Sequence, residues 1–373
     1  MSARPVVLWV AVALLVSSVS VLVTRDGTDT ELAAAQPPRT TASTAPTTTE
    51  APTTTVPTTT TTTSVAPPPT TRARPVVARA AAVPRTTRPA PPGPTARRLR
   101  SDAPLVPGTA VAFRGFGAWI DVFDWSREFT GGRPSVGPAD IDRMADYGVQ
   151  ALYVQAAKQA SANDVVDIDL LRPIIERARQ RGMKITAWYL PTLEDPSLDL
   201  RRLLAMAALD VDAVGVDIEG RQVADVAERN RRLVDLSIAL RQHLPGRPIA
   251  AIPMPAVVME VINPNFWPDF PYRELAPAYD AWMPMDYWTN RKADSGYRDA
   301  YRYTAENIDR LRAQVGRPDL PVHPIGGIGD RCTPEDLQGF RRAAVERNAI
   351  GGSIYDYRTT RDELWPHLQP FRT

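Results

Sequence analysis

The sequence predicts an α/β chain whose globular part is one (β/α)8 (TIM) barrel. Three observations lead there: the length left for a core, an alternation of strand-length apolar runs with helical segments, and acids and aromatics gathered at the ends of those runs. Of the 373 residues, residues 104–373 alone have the composition of a core, and they match the ~250 residues typical of this barrel. Residues 1–25 read as a short cytoplasmic start and a signal-anchor helix, and residues 26–103 as a disordered Thr/Pro/Ala-rich linker.

Each element has its own signal. Strands are expected near Ala118–Val122, Ala151–Val154, Ile185–Leu190, Ala213–Ile218, Ile249–Ile252, Ala281–Met285, Val322–Ile325 and Ser353–Tyr355, where short apolar runs end at turn formers. Helices are expected between them. Pro138–Tyr147 opens on a first-turn proline. Leu170–Gln180 is followed by Gly182, a C-cap residue. Val223–His243 and Tyr301–Val315 are the longest, and Thr333–Arg347 opens on Thr-Pro-Glu-Asp, an N-cap with first-turn acids. Eight strands alternating with helices imply a closed parallel barrel. An open doubly wound sheet would announce a Gly-rich turn after its first strand, where this chain has Asp121-Val-Phe-Asp124-Trp125.

Composition narrows the function. A net charge of +2 gives no field favouring nucleic acid. Cys332 is the one cysteine and His243, His323 and His367 the only histidines. An internal disulfide and a histidine-rich metal centre are thereby excluded. No cofactor motif is evident and no metal is required; a divalent ion among Asp121, Asp217, Glu219 and Asp286 is the alternative considered. Gly326-Gly327-Ile-Gly329 reads as a tight turn, or as a phosphate site after strand seven.

Residues 6–23 carry no charge. At ~1.5 Å per residue they span roughly 27 Å, near the ~30 Å hydrocarbon core. Arg4 before them favours a cytoplasmic N-terminus. The expected location is therefore the cell membrane, single-pass, with the C-terminal domain outside the cytoplasm. Secretion after signal cleavage is the alternative, although signal cores run only ~7–15 residues. The Thr/Pro segment at residues 36–98 suits an extended spacer, at up to ~3.1 Å per residue.

In this fold, active sites lie at the C-terminal ends of the strands. Strand one ends in Asp121 with Asp124 and Trp125 beyond, and strand two at Gln155. Strand three ends at Trp188-Tyr189, with Glu194 and Asp195 in its loop. Strand four ends in Asp217-Ile-Glu219, strand six in Met283-Pro-Met285-Asp286-Tyr287-Trp288, and strand eight in Tyr355-Asp356-Tyr357-Arg358. Side chains alternate along a strand, so Gly215, Asp217 and Glu219 share the face toward the barrel interior, with the two acids about 7 Å apart along it. A buried acid beside another acid holds its proton to higher pH, which suits proton donation to a leaving oxygen. Alternatively, both acids cap helices or pair with arginines. Rim aromatics suit the apolar faces of sugar rings, whereas Trp119 and Trp282 are read as core.

Asp212-x-x-x-x-Asp217-x-Glu219 resembles the strand-four signature of family 18 glycoside hydrolases, the chitinase-like barrels. Met283-x-Met285-Asp286 resembles their Met-x-Tyr-Asp motif. Asp121 on strand one with Asp217-x-Glu219 also resembles the lysozyme-like family 25, and the barrel as a whole looks like actinobacterial barrels described as glycoside hydrolases. The chitinase-like resemblance implies Glu219 as general acid, Asp217 orienting a substrate acetamido group that attacks the anomeric carbon, and Asp286 helping to hold it. The sequence departs from that pattern at Gly215, where the family has an acid, and at Met285, where it has a tyrosine.

The expectation is thus a glycosidase acting on a cell-wall or extracellular polysaccharide. Its catalytic set is Glu219, Asp217, Asp286 and Asp121. Its sugar-binding set is Trp125, Gln155, Tyr189, Tyr287, Trp288, Tyr355, Asp356 and Arg358. It is expected to act as a monomer held to the cytoplasmic membrane through residues 6–23, with no nucleic-acid partner. A barrel that has lost catalysis and binds glycan at the cell wall is the alternative, motivated by Gly215 and Met285.

Overall fold

The structure is a computed structural model and describes residues 99–371. The expected membrane helix and most of the expected linker lie outside the described residues. Among the described residues no helix is long and apolar enough to cross a membrane.

Eight parallel strands, in the sheet order β6-β5-β4-β3-β2-β1-β8-β7, form the barrel wall. They are β1 (Gly115–Ile120), β2 (Ala151–Gln155), β3 (Lys184–Tyr189), β4 (Ala213–Ile218), β5 (Ile249–Pro253), β6 (Ala281–Trp282), β7 (Ile325–Ile328) and β8 (Gly351–Tyr355). Isolated parallel bridges from Trp282 to Val322 and from Met285 to Ile325 close the sheet between β6 and β7. The seam is thin because Pro284, Pro321 and Pro324 have no N–H to give. For the same reason β6 ends at Trp282 instead of Met285, and β7 begins at Ile325 instead of Val322.

The helices are α1 (Val122–Trp125), α2 (Pro138–Asp146), α3 (Ile168–Gln180), α4 (Pro196–Ala207), α5 (Val226–His243), α6 (Tyr272–Leu275), α7 (Ala300–Val315), α8 (Pro334–Glu346) and α9 (Trp365–Leu368). The five helices expected from sequence are α2, α3, α5, α7 and α8. The unexpected long one is α4, and its signal was present. Asp195 is its N-cap, accepting from the N–H groups of Ser197 and Leu198, and Pro196 sits in its first turn. Asp195 is therefore a cap, not a loop acid at the rim.

The first strand starts and ends earlier than its apolar pattern suggests. Asp121 leaves the strand to cap α1, accepting from Phe123 N–H, while the Asp124 carboxylate takes the Asp121 N–H. This reciprocal cap turns the chain sharply at the barrel mouth. The barrel interior is filled, not open. Trp119 stacks on Tyr153 with ring centroids 4.4 Å apart and meets Trp188 edge-on at 5.8 Å. Both Trp119 and Trp282, read as core, are buried.

Candidate active site

At the C-terminal end of β4, Asp217 is buried and Glu219, immediately past the strand, is half-buried. Asp217 Oδ1 is buried with no hydrogen-bond partner. Burial, and next the charge of Glu219, push the Asp217 carboxyl well above the usual carboxylate range, with Lys158 pulling the other way. Burial pushes Glu219 up to about 7, against the opposing pull of Lys158 and Arg221. Close acids of this kind titrate as a pair. At neutral pH the pair therefore keeps a transferable proton at the barrel mouth.

Tyr355 and Tyr287 lie across the mouth, half-buried, with ring centroids 5.7 Å apart. Tyr355 donates its hydroxyl to Asp121 Oδ2 at 2.8 Å. Burial pushes the Tyr287 phenol well up, and Asp217, Glu219, Asp356 and Asp121 all add to the shift. Tyr287 therefore looks onto four acids supplied by β1, β4 and β8. Gln155 is buried and accepts from Val122 N–H at 3.2 Å, fixing the turn after β1. Asp356 is buried too, and its Oδ1 accepts from both the N–H and the hydroxyl of Thr359. The rim thus brings together Asp121, Asp217, Glu219, Asp356, Tyr287 and Tyr355.

Asp286 is not part of that group. It is fully buried, and neither carboxylate oxygen makes a hydrogen bond of acceptable geometry. Burial pushes its carboxyl well up, and Asn307 of α7 is the one group opposing the shift. Asn307 accepts from Val257 N–H through its Oδ1, which leaves its amide nitrogen to face Asp286 without a well-formed hydrogen bond. The strand-six acid therefore faces α7, behind the barrel wall, and the next residue, Tyr287, takes the place at the mouth. The expectation that Asp286 completes the acidic floor is corrected accordingly. The cause is local: residues 284–288 wind through tight turns closed by the N–H groups of Asp286, Tyr287 and Trp288, so simple strand alternation fails there.

Three expected sugar-binding aromatics also lie elsewhere. Trp125 is buried in the core at 1% exposure. Tyr189 is fully buried and donates its hydroxyl to Asp199 of α4 at 2.7 Å. Trp288 is buried against Phe340 of α8, with centroids 5.2 Å apart. It rests on Gly326 and Gly327, where a Cβ would come within about 3 Å of its ring. Those glycines permit close packing inside β7, so the tight turn expected of that run is corrected: Gly326 and Gly327 belong to the strand. Arg358 is exposed beyond β8.

Sequence reasoning missed two cations. Lys158, three residues past β2, is half-buried. Its Nζ lies 4.8 Å from the Phe123 ring centroid and 5.9 Å from that of Phe129. Burial lowers its proton affinity, while Asp121, Asp217 and Glu219 act to raise it. Arg221, two residues past Glu219, is exposed and holds its guanidinium 4.3 Å from the Phe266 ring centroid. Both come from loops, where alternation gives no guide. Their signal was only nearness in sequence to strand ends.

Gly215 lies one step inward from Asp217 on the same face. A Cβ there would stand 2.8 Å from Ile252 Cδ1 and 3.1 Å from Trp188 Cβ. The space that a third strand acid would need is filled by these two side chains. One carboxylate oxygen from each of Asp121, Asp124 and Asp356 lies within 4.8 Å of the others. This differs from the metal grouping considered from sequence, and the backbone and hydroxyl donors described above already engage all three acids.

No protein-family model matches the chain, and no curated protein matches it. Its fold is similar to that of a class V chitinase from Pseudomonas fluorescens Pf-5, with 10% identity and a TM-score of 0.50, over 69% of this chain and 98% of that one. It is also similar to the spore cortex-lytic enzyme SleL from Bacillus megaterium QM B1551, with 8% identity and a TM-score of 0.50, over 70% of this chain and 74% of that one. At such identities the likeness is one of fold.

Proposed function

We propose that the barrel hydrolyses glycosidic bonds of a cell-wall or other extracellular polysaccharide, with Glu219 as general acid/base and Asp217 as its partner. The carrying observation is the acid pair at the end of β4, in which burial lifts Glu219 to about 7. A carboxylic acid still protonated near neutrality can protonate the glycosidic oxygen as the bond breaks. The electron pair of that bond leaves with the oxygen, and positive charge develops at the anomeric centre. Asp217 and, across the mouth, Asp121 would face that charge. Deprotonated Glu219 would then accept the proton of the attacking water. Tyr287 and Tyr355 offer ring faces beside the acids for a sugar ring. The fold shared with a chitinase and with a spore cortex-lytic enzyme supports a polysaccharide substrate.

In this reading residues 6–23 anchor the chain in the cytoplasmic membrane, and the Thr/Pro segment carries the barrel, acting as a monomer, outward to its polymer. The test is release of reducing ends by the full-length protein from peptidoglycan, chitin oligomers and α-glucans, beside Glu219→Gln. Release that the substitution abolishes supports the hydrolase. A second reading, a glycan-binding barrel without turnover, is favoured by the filled space at Gly215 and by the turning away of Asp286. It predicts no release from any polymer, with glycan binding unchanged by Glu219→Gln.

A further inference from the structure

The mouth of the barrel carries acids on three strands, yet two cations stand among them without an ion-pair partner. Lys158 and Arg221 enter no salt bridge among the described residues; aromatic rings hold them in place. This contrasts with the helical surface, where arginines such as Arg177, Arg231 and Arg310 each bind acids at 2.6–2.8 Å. The two cations come from different loops. Lys158 comes from the loop after β2 and lies against Phe123 of α1 and Phe129 of the loop that follows α1. Arg221 comes from the loop after β4 and lies against Phe266 of the loop after β5. Both act through space on Glu219.

A half-buried ammonium gains from a ring face only part of what it loses in hydration. A neutral glycan would leave Lys158 in that state and Arg221 without a counter-charge. An anionic glycan would meet the acids of the mouth unless fixed cations received its charge, and Lys158 and Arg221, which act through space on Glu219, are two cations placed to do so. Phe123, itself 36% exposed, adds an apolar surface beside Lys158 for a sugar face.

We infer that the substrate or ligand is a glycan bearing carboxylates, such as a hexuronic acid or a lactyl ether, and that Lys158 and Arg221 receive those carboxylates beside Glu219. This rests on the glycan reading above and deepens it to a substrate class. Two cations from different loops also set direction along the chain, because a carboxylate on one sugar and not its neighbour fits only in certain registers.

The test measures binding by full-length Glu219→Gln protein, so that turnover does not intervene. The probes are a hexasaccharide alternating glucuronic acid with N-acetylglucosamine, the same oligomer with its carboxyls reduced to primary alcohols, and chitohexaose. The expected result is at least about tenfold tighter binding of the carboxylated oligomer, a preference falling at 0.5 M salt as screening predicts. Adding Arg221→Met, an exposed position that leaves the core untouched, should reduce the preference about tenfold and spare affinity for the neutral probes. Lys158→Met should do the same, and Lys158→Arg should restore it. Equal affinity for the carboxylated and reduced oligomers, or a preference that survives Arg221→Met, overturns the inference and leaves the glycan reading standing. Failure to bind any of the three oligomers overturns both.

Discussion

The two ends of the barrel treat buried charge in opposite ways. Toward the N-terminal end, Arg241 is fully buried and bonded to Asp280 at 2.5 Å, to Arg247 O at 2.7 Å and to Ala278 O at 3.1 Å. Asp280 also accepts from the N–H groups of Gly108 and Ile249. Deeper in the same half, His323 meets Phe113 O at 2.7 Å through Nδ1 and Ser353 Oγ at 3.0 Å through Nε2, and Trp119 donates to the same hydroxyl at 2.8 Å. At the C-terminal mouth, by contrast, Asp217 leaves an oxygen without a partner and Glu219 is driven toward its neutral form. Satisfied buried polar groups stabilise a fold, whereas unsatisfied ones cost stability and persist where chemistry needs them. The contrast supports the proposal that the chemistry is at the mouth, where the unsatisfied acid is paired with a second one.

Several measurements would break or sharpen that contrast. The largest effect belongs to the mouth: on the proposed mechanism Glu219→Gln should lower turnover about 10²–10⁴-fold, as loss of a general acid does. Unchanged reducing-end release would remove Glu219 from the chemistry. Next comes the opposite end, where Arg241→Met leaves Asp280 buried and uncompensated. Denaturant unfolding should show a loss of about 3–5 kcal/mol; a loss below about 1 kcal/mol would mean the pair is not the anchor described. Gly215→Ala adds a Cβ against Ile252 and Trp188 and should cost about 1–3 kcal/mol by overpacking. A neutral or stabilising result would show that the barrel interior has slack.

The smallest effect carries a sign. Glu219 binds its proton more tightly folded, at about 7, than at its ordinary 4.5. Its contribution to stability is therefore present in full below the unfolded value and lost as pH rises through about 7. Glu219→Gln should match the native protein in thermal stability near pH 4.5 and exceed it by a few degrees near pH 8. His323 runs the other way: burial lowers it from 6.5 to about 4, so its neutral form costs stability as pH falls through that window. An excess stability of Glu219→Gln that is the same at both pH values would contradict the account of the mouth.

Much of this was legible in the sequence where one face of an element is buried and periodic. The β4 bounds, Ala213–Ile218, match the expected ones, and the pair Asp217 and Glu219 follows from alternation alone. What failed did so for local reasons. Asp286 sits in consecutive turns, so its direction could not be read from a strand register. Tyr189 and Trp288 are long side chains whose partners, Asp199 on α4 and Phe340 on α8, come from distant or unrecognised helices. Lys158 and Arg221 lie in loops, where only tertiary packing on Phe123, Phe129 and Phe266 fixes them.

The central claim is that this mouth keeps a carboxylic acid protonated near neutral pH, and it is testable without any substrate. Carbon-13 NMR of side-chain carboxyls, with the Glu219 signal assigned by its absence in Glu219→Gln, would follow the acid pair through pH 3–9. The account predicts that Glu219 titrates near 7, coupled to Asp217, and that its midpoint rises further in Lys158→Met. A Glu219 midpoint near the ordinary 4.5, unmoved by that substitution, would contradict it.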